Sequence, residues 1–271
     1  KDKDIVLQSI VSIIQRILPL SLIQTFTIPQ SCLNSNITPN SLGVVAKFLG
    51  ICYKTGHQKL NNSFQLLRKY LSHHETIFNF STSDLNQFIQ PLIQSLSQIT
   101  FCESLILPKL DKSATSKLFL FLSETSLPYL KHILIKSQIP EDFRSHISKL
   151  CQKADIALSG ITFLDCQLNE NDLTNIHQLI VSKGMKSLAL QNSLLTVKSN
   201  FLYKSFFTPE LSNLMMLNLD KTLKLDLGQL FECVPQLYSL SLANCELDII
   251  TVFQSLHTKP LENLMLLNLS N

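Results

Sequence analysis

Residues Leu237–Leu247 read LYSLSLANCEL, with apolar residues at the first, fourth, sixth and eleventh places and a cysteine at the ninth. The alternation of apolar and polar residues in the central part is typical of a strand that buries one face. Cys245 follows where the chain must turn away from that strand, so we interpret it as a buried cap of the turn. A second copy of the pattern starts at Leu158 and carries Cys166 in the same place.

The pattern recurs with a nearly constant period along most of the chain. Copies start at residues 75, 102, 130, 158, 185, 214, 237 and 264, with steps of 27, 28, 28, 27, 29, 23 and 27 residues. One such unit cannot bury its own apolar face, so neighbouring units must stack and their strands must join in one parallel sheet. The sequence therefore predicts that these residues line up on neighbouring strands: Leu105, Ile133, Ile161, Leu188, Leu217, Leu240 and Leu267.

The N-terminal part of the chain keeps the pattern less well. One further copy, Ile23, Phe26, Ile28 and Leu33, begins 52 residues before the copy at 75, which is about two periods. A strand is expected between these two copies, and residues 57–62 are a weak candidate. The amphipathic opening at 2–18 is interpreted as a repeat helix. We predict a single domain over 1–271, with irregular repeats in 1–74 and regular repeats in 75–271.

The segments between the predicted strands carry helical periodicity, as in 84–97, where apolar residues recur every three or four positions. Steps near 28 residues leave room for a full helix on the outer face, whereas the step of 23 residues from 214 predicts a shortened one. Side chains that can accept hydrogen bonds from free helix N–H groups mark the predicted helix starts. They are Thr38, Ser83, Ser113, Asn171 and Asp248.

These features predict an α/β fold, a leucine-rich repeat solenoid: a right-handed β-α superhelix, or horseshoe, with a parallel concave sheet and a helical convex face. Side chains between the core positions of each strand point out of the concave sheet, where another protein could bind. Among these outward residues are Ser104, Pro108, Ser187, Ala189, Gln191, Asp220, Ser239, Ser241 and Asn268. The candidate partner-binding residues are Ile106, His132, Leu134, Lys136, Thr162, Leu164, Met216, Asn218, Tyr238 and Leu266.

Two clusters stand out on this predicted surface. The first is an apolar ladder of Ile106, Leu134 and Leu164 flanked by Lys109, Lys131 and Lys136, although isolated exposed aliphatic residues are also ordinary. The second comprises Met216, Tyr238 and Leu266, with Met215 and Met265 nearby. Methionine and tyrosine suit an adaptable contact surface, but core packing is an equally good interpretation of Met215, Tyr238 and Met265.

Composition and motifs favour a binding protein over an enzyme. Charged residues make up 16% of the chain and the formal net charge is +3, so no attraction to nucleic acid is implied. No phosphate-binding glycine motif occurs, no cofactor is expected, and no stretch is predicted to span a membrane. We interpret His73, His74 and Glu75 as solvated residues at a helix end rather than metal ligands. Seven scattered cysteines without a CxxC pair favour a reducing, cytoplasmic location.

The copies that begin at Leu158, Leu237 and Leu264 resemble the ribonuclease-inhibitor-like leucine-rich repeats. The even period and polar composition are most similar to the repeat domain of CARMIL-type actin regulators, which implies a cytoskeletal scaffold. In that family the segment that binds actin capping protein follows the repeats, so that activity maps onto no residue here.

Three alternatives stay open at this point: the regulatory array of a Ran GTPase-activating protein, the substrate-recognition array of an F-box ubiquitin ligase, and an immune or ciliary scaffold. A GTPase-activating protein would need an arginine on a loop at a strand end. None of the three arginines, Arg16, Arg68 and Arg144, is predicted on such a loop. An F-box ligase would need a helix pair ahead of the repeats, where the sequence already indicates repeat.

Overall fold

A computed structural model of the chain describes residues 10, 11, 14, 41–56, 62–194, 197–222 and 225–270. The predicted copy at 23–33 and the predicted cap Thr38 lie outside the described residues, as does most of the predicted opening helix at 2–18. Of the weak strand candidate at 57–62 only Asn62 is described. It begins a helix, so it is not part of a strand.

The described residues form eight short strands, which make one parallel sheet in chain order. They are β1 (Ile77–Asn79), β2 (Ser104–Leu110), β3 (His132–Ser137), β4 (Gly160–Phe163), β5 (Ser187–Ala189), β6 (Met216–Asn218), β7 (Ser239–Ser241) and β8 (Leu266–Asn268). Each predicted core residue pairs with its counterpart on the next strand, from Leu105 with Ile133 through to Leu240 with Leu267. The predicted repeat register is therefore confirmed.

Alternation along each strand sends one side chain into the core and its neighbours to the opposite face. The central core residue of every strand from β1 to β7 is fully buried, Phe78 in β1 and Leu240 in β7 being examples. In β8 the equivalent Leu267 is only half-buried. Within the described residues, β8 has a neighbouring strand on one side only, so its core residue is covered from one side.

Helices lie between the strands and pack against the helices of neighbouring repeats. In the described ranges they are α1 (Ser41–Lys54), α2 (Asn62–His73), α3 (Ile89–Leu96), α4 (Lys112–Glu124), α5 (Phe143–Gln152), α6 (Glu170–Lys183), α7 (Ser199–Phe201), α8 (Leu227–Cys233) and α9 (Ile249–Thr258). The apolar stripe predicted over 84–97 is buried as expected, from Leu85 to Leu96.

Helix starts were predicted less well than strands. Asp248 caps α9 as predicted, its side chain accepting from the N–H of Ile250. The predicted starts at Ser83, Ser113 and Asn171 are wrong. Asp111 caps α4 and Asn169 caps α6, because each has an extended backbone just before the helix and an acceptor within reach of its first turn.

The repeat that begins at 185 departs from the expected full helix. Its outer segment consists of α7, a π-helix at Leu202–Phe206 and a 3-10 turn at Pro209–Leu211. Phe206 and Phe207 are both fully buried, with ring centroids 5.0 Å apart. Consecutive residues of a regular α-helix point about 100° apart, so the wider turn lets both rings reach the core. The shortened helix predicted after 214 is confirmed: α8 has 7 residues.

The two predicted cysteine caps are buried in the turns that follow the strands. Cys166 donates through Sγ to the carbonyl oxygen of Ile135 at 3.5 Å, and Cys245 donates to that of Leu219 at 3.2 Å. Burial raises the pKa of the Cys166 thiol to about 11, so it stays protonated and keeps its donor. Stacked strand-turn-helix units in constant register, with leucines in the shared core, make this chain a leucine-rich repeat solenoid, as predicted.

Candidate protein-binding surface

The face of the sheet opposite the helices, called the concave face here, presents two rows of side chains from successive strands. One row holds Ile77, Ser104, His132, Gly160, Ser187, Met216, Ser239 and Leu266. The other holds Asn79, Ile106, Leu134, Thr162, Ala189, Asn218, Ser241 and Asn268. Most of these side chains are half-buried, so the surface is a shallow ribbon of small and polar groups.

The predicted apolar ladder is not continuous in the structure. Ile106 lies beside Leu134, but the next residue of that row is Thr162, while Leu164 lies beyond the end of β4. The sequence predicts Leu164 on the strand next to Leu134. It does not show that Thr162, rather than Leu164, lies in the same row as Ile106 and Leu134. A hydroxyl therefore interrupts the apolar surface after two residues.

Pro108, predicted to point outward, is buried instead. The register between β2 and β3 shifts between Ile106 and Lys109, so Lys109 pairs with Lys136. The extra residue makes a bulge, which returns Lys109 to the exposed face and leaves Pro108 inside.

Two of the three lysines predicted to flank the ladder form ion pairs. Lys131 Nζ lies 2.6 Å from Glu103 Oε1, and Lys136 Nζ lies 2.9 Å from Asp165 Oδ2. Hydrogen bonds from Asn192 and Lys136 hold the pKa of the Asp165 carboxyl below its usual value. The ladder is therefore bordered by alternating charges of both signs rather than by a positive rim.

His132 and Thr162 contact each other on the concave face, with His132 Nε2 and Thr162 Oγ1 3.0 Å apart. Burial lowers the pKa of the His132 imidazole, which favours its neutral form. The ring lies over Gly160, where an added Cβ would be only 2.6 Å from His132 Nδ1. Although the pair joins a hydroxyl to a base, no described residue hydrogen-bonds Nδ1 to orient the ring for catalysis.

The second predicted cluster forms the main exposed apolar surface of the concave face and its rim. Its members and their exposed fractions are Met215 41%, Met216 47%, Tyr238 43%, Met265 71% and Leu266 57%. We call these five residues the methionine–tyrosine patch. The interpretation of Met215, Tyr238 and Met265 as core residues is wrong.

These side chains stay outside because of where they sit on the backbone. Met215, Tyr238 and Met265 immediately precede β6, β7 and β8, whereas Met216 and Leu266 are the first residues of β6 and β8. Tyr238 N–H donates to Met215 O at 2.7 Å, and Met265 N–H donates to Tyr238 O at 2.9 Å, so these three residues form one row along the rim. The next residue along this row, Lys186, is exposed and makes no ion pair within the described residues.

A groove of about 910 Å³ runs beside the rim row. Met215, Tyr238 and Met265 supply apolar side chains to its lining, and Lys186 also lines it. Gln236 and Asn263 also line the groove, and Asn263 Nδ2 donates to Gln236 Oε1 at 3.0 Å. Apolar surface with convergent amides and one cation is a suitable contact surface for a peptide segment or a protein loop.

Sequence reasoning missed a polar network next to this patch. Asp220, predicted to point outward, is buried. It accepts hydrogen bonds from Ser241 Oγ at 2.6 Å, from the N–H of Ala243 at 2.8 Å and from Asn218 Nδ2 at 3.0 Å. Asn218, a predicted binding residue, is therefore held in place by a carboxylate, and the Asp-Ser pairing across repeats could have indicated this network.

The remaining chemistry-bearing side chains are dispersed over the molecule. His73 is the last residue of α2, and its ring Nδ1 lies 2.9 Å from the carbonyl oxygen of Lys69. Within the described ranges no three histidine, cysteine, aspartate or glutamate residues come together as a metal site. Six cysteines are described, and all are free thiols. Of the arginines in the described part, Arg68 lies in α2 and Arg144 in the first turn of α5.

No helix among the described residues is long and apolar enough to cross a membrane.

Comparison with known proteins gives a limited set of similarities. No protein-family model matches this chain, and no curated protein matches it. The solved structures that match this chain include the crystal structure of a TLR13–ssRNA13 complex, with 16% sequence identity and a TM-score of 0.31. The match covers 65% of this chain and 33% of that chain, so this chain spans about a third of the length of that protein.

Proposed function

We propose that this protein is a non-catalytic scaffold that binds another protein on its concave face. The observation that supports the proposal is the methionine–tyrosine patch, five neighbouring apolar side chains that are 41% to 71% exposed. Apolar side chains gathered in this way are typical of interaction sites, whereas isolated ones are common on any surface. The patch, rather than the interrupted ladder of Ile106 and Leu134, is therefore the centre of the proposed site.

The side chains of the patch suit protein binding. Tyrosine brings a large apolar area with little conformational freedom to lose, and it is frequent among residues that dominate binding energy. The three methionines are flexible and can fit partners of different shape. Asn218 and Ser241 border the patch with polar groups that the Asp220 carboxylate already holds in place. The border can thus add hydrogen bonds at a low entropic cost.

The experiment compares two double variants of matched exposure. Tyr238→Ser with Met265→Ser removes the centre of the patch, and Ile250→Ser with Phe253→Ser removes two exposed apolar residues of α9, 60% and 58% exposed. Proteins retained by the immobilised chain are quantified by mass spectrometry, and the affinity of each is then measured with purified components. We expect the patch variant to lose at least tenfold in affinity, about 1.4 kcal/mol, and the α9 variant to bind like the wild type.

Equal binding by all variants would contradict the proposed position of the site. A third variant, Leu134→Asp, then tests whether the residues around Ile106 and Leu134 carry the binding instead. A loss with Leu134→Asp alone would move the site to the N-terminal half of the sheet. Circular dichroism spectra and unfolding midpoints confirm that each variant is folded before its binding is compared.

A finer assignment, to a cytoskeletal scaffold that regulates actin, depends on the even period and polar composition of the repeats. It predicts that actin regulators are among the proteins captured through the patch. The alternative of a GTPase-activating array predicts faster hydrolysis of GTP by small GTPases when this chain is added. A panel of such GTPases separates the two, and the scaffold proposal expects no acceleration.

A further inference from the structure

We propose that Lys47 is a modification site at which carbon dioxide adds to the side-chain amine and forms a carbamate. The residue lies in α1, and it lines a cavity of about 680 Å³ on the helical side of the repeats, between α1, α3 and the end of α4. This cavity shares no residue with the methionine–tyrosine patch, so the proposal is independent of the concave-face function.

Among the described residues, none compensates a positive charge on the Lys47 amine. The residue is half-buried, it makes no ion pair, and its Nζ donates a hydrogen bond to the neutral Ser97 Oγ at 3.2 Å. Lys153 shows the opposite arrangement. Its side chain is only 11% exposed, but Nζ donates to Thr125 O at 2.6 Å and lies 3.7 Å from Asp155 Oδ1. Because burial without such compensation disfavours the charged form, the neutral amine is favoured at Lys47.

This environment makes the Lys47 amine a nucleophile near neutral pH. Burial lowers the pKa of the side chain to about 8. About a fifth of the Lys47 amines are then neutral at about pH 7.4, against fewer than about one in a thousand for an ordinary lysine. The neutral amine has a lone pair that can attack carbon. Ser97 leaves that lone pair free, because its Oγ accepts from Nζ and donates its own hydrogen to Gln94 O at 2.7 Å.

The reaction with carbon dioxide needs no further reactant. The lone pair of Lys47 Nζ forms a bond to the carbon atom, and the electrons of one C=O π bond move onto an oxygen atom. The nitrogen then loses one proton to solvent, which leaves a carbamate anion, R–NH–COO⁻. Nothing is oxidised or reduced, and a molecule of three atoms fits easily in a cavity of about 680 Å³. The modification therefore replaces a basic amine with an anion.

The lining of the cavity contains groups that can stabilise this anion. Gln90 and Gln94 line it from successive turns of α3, and carboxamide N–H groups can donate to carbamate oxygens. Lys54 adds a positive charge from the end of α1, and Glu124 adds a negative charge from the end of α4. Helix α3 contains no charged residue, and α2, which also packs against α1, contributes none to the lining. Glu124 is therefore the lining residue that opposes the modification.

The test equilibrates the intact chain with carbon-13-labelled carbon dioxide and traps carbamates with triethyloxonium, which ethylates the carbamate oxygen. Mass spectrometry of the peptides then locates each modified amine. The α-amino group of the purified protein has an ordinary pKa of about 8, so it serves as an internal positive control. We expect a carbamate on Lys47 and at least tenfold less on Lys54, the exposed lysine of the same helix. At constant carbon dioxide pressure the yield at Lys47 should rise about fivefold or more from pH 7 to pH 8, because the neutral fraction of the amine increases.

Two further measurements keep the result decisive. Glu124→Gln should raise the yield at Lys47, because it removes a negative charge from the lining, whereas Glu262→Gln makes the same change outside this cavity and should leave the yield unchanged. Competitive labelling with trace acetic anhydride across a range of pH measures the pKa of the Lys47 amine directly, and we expect about 8. No trapped carbamate on Lys47, equal trapping on Lys47 and Lys54, or an ordinary lysine pKa at Lys47 would overturn the proposal and leave the concave-face function untouched.

Discussion

Gly160 shows how one missing side chain determines the surface of a strand. An added Cβ at this position would lie 2.6 Å from His132 Nδ1 and 2.9 Å from the Cβ of Ser187. Both distances are shorter than real contacts of a Cβ atom. The glycine is therefore needed because its two neighbours on the concave face come from strands on either side, and the imidazole of His132 fills the space above it.

Gly160→Ala should destabilise the protein by about 1 to 3 kcal/mol, the usual cost of overpacking. The double variant Gly160→Ala with His132→Ala removes the closest contact and should recover part of the loss. Urea denaturation of the wild type, both single variants and the double variant gives the coupling energy. Strictly additive losses would show that the imidazole does not cause the crowding.

The residues of the candidate site were only partly predictable from the sequence. Met216, Tyr238 and Leu266 were proposed as partner-binding residues, and the structure leaves all three side chains exposed, as that proposal requires. Leu164 and Pro108 were misplaced, since a strand that ends early and a one-residue bulge leave no trace in a pattern of apolar residues.

Among the elements, α6 illustrates why helix starts are hard to read from sequence. Asn169 Oδ1 accepts from the N–H of Asp172 at 3.0 Å, and Asp172 Oδ2 accepts from the N–H of Asn169 at 3.0 Å. This reciprocal capping box satisfies two free N–H groups at the start of the helix. The segment NENDL at 169–173 offers several side chains able to cap, so composition alone could not choose Asn169 over Asn171.

Asn169→Ala should lower the free energy of unfolding by about 1 kcal/mol, because the free N–H groups at the start of α6 lose their acceptor. Asn171→Ala is the matched control, since its carboxamide accepts no hydrogen bond from the helix and the change should cost only a few tenths of that amount. Thermal or chemical denaturation of both variants measures the difference. Equal losses would mean that the cap is not at Asn169.

Strands were predictable where helices were not, for a physical reason. Each strand of this sheet must place an apolar residue in the core. The sequence therefore shows an apolar residue at that position in each repeat from Leu105 to Leu267. The outer segments only need to cover the core, and different geometries can do so. The buried pair Phe206 and Phe207 on a π-helix is one solution that no α-helical periodicity would predict.

At the scale of the whole molecule, each repeat contacts only its neighbours, so stability should be local. Leu240 is fully buried between Leu217 and Leu267 on the adjacent strands. Leu240→Ala should cost about 2 to 5 kcal/mol as a large-to-small change in the core. Because stability in a stacked array is carried by nearest-neighbour contacts, the loss should fall mainly on residues 214–270.

Hydrogen exchange measured by mass spectrometry tests this locality. In Leu240→Ala, amides of β6, β7 and β8 should exchange faster, while those of β2, β3 and β4 keep their protection. Ile133→Ala is the reciprocal variant, with the same fully buried position in β3, and should show the opposite distribution. Uniform loss of protection in both variants would show that the array unfolds as one cooperative unit.

The constant register has a consequence for how such a chain can change in length. From β3 to β8 the pairing runs from one strand to the next without a shift. Removing residues 158–184, a segment of one full period, would bring Leu188 next to Ile133 with inward and outward faces still matched. Whole units can therefore be gained or lost in evolution without disturbing a contact surface that lies further along the ribbon, whereas the loss of a single residue would turn a strand inside out.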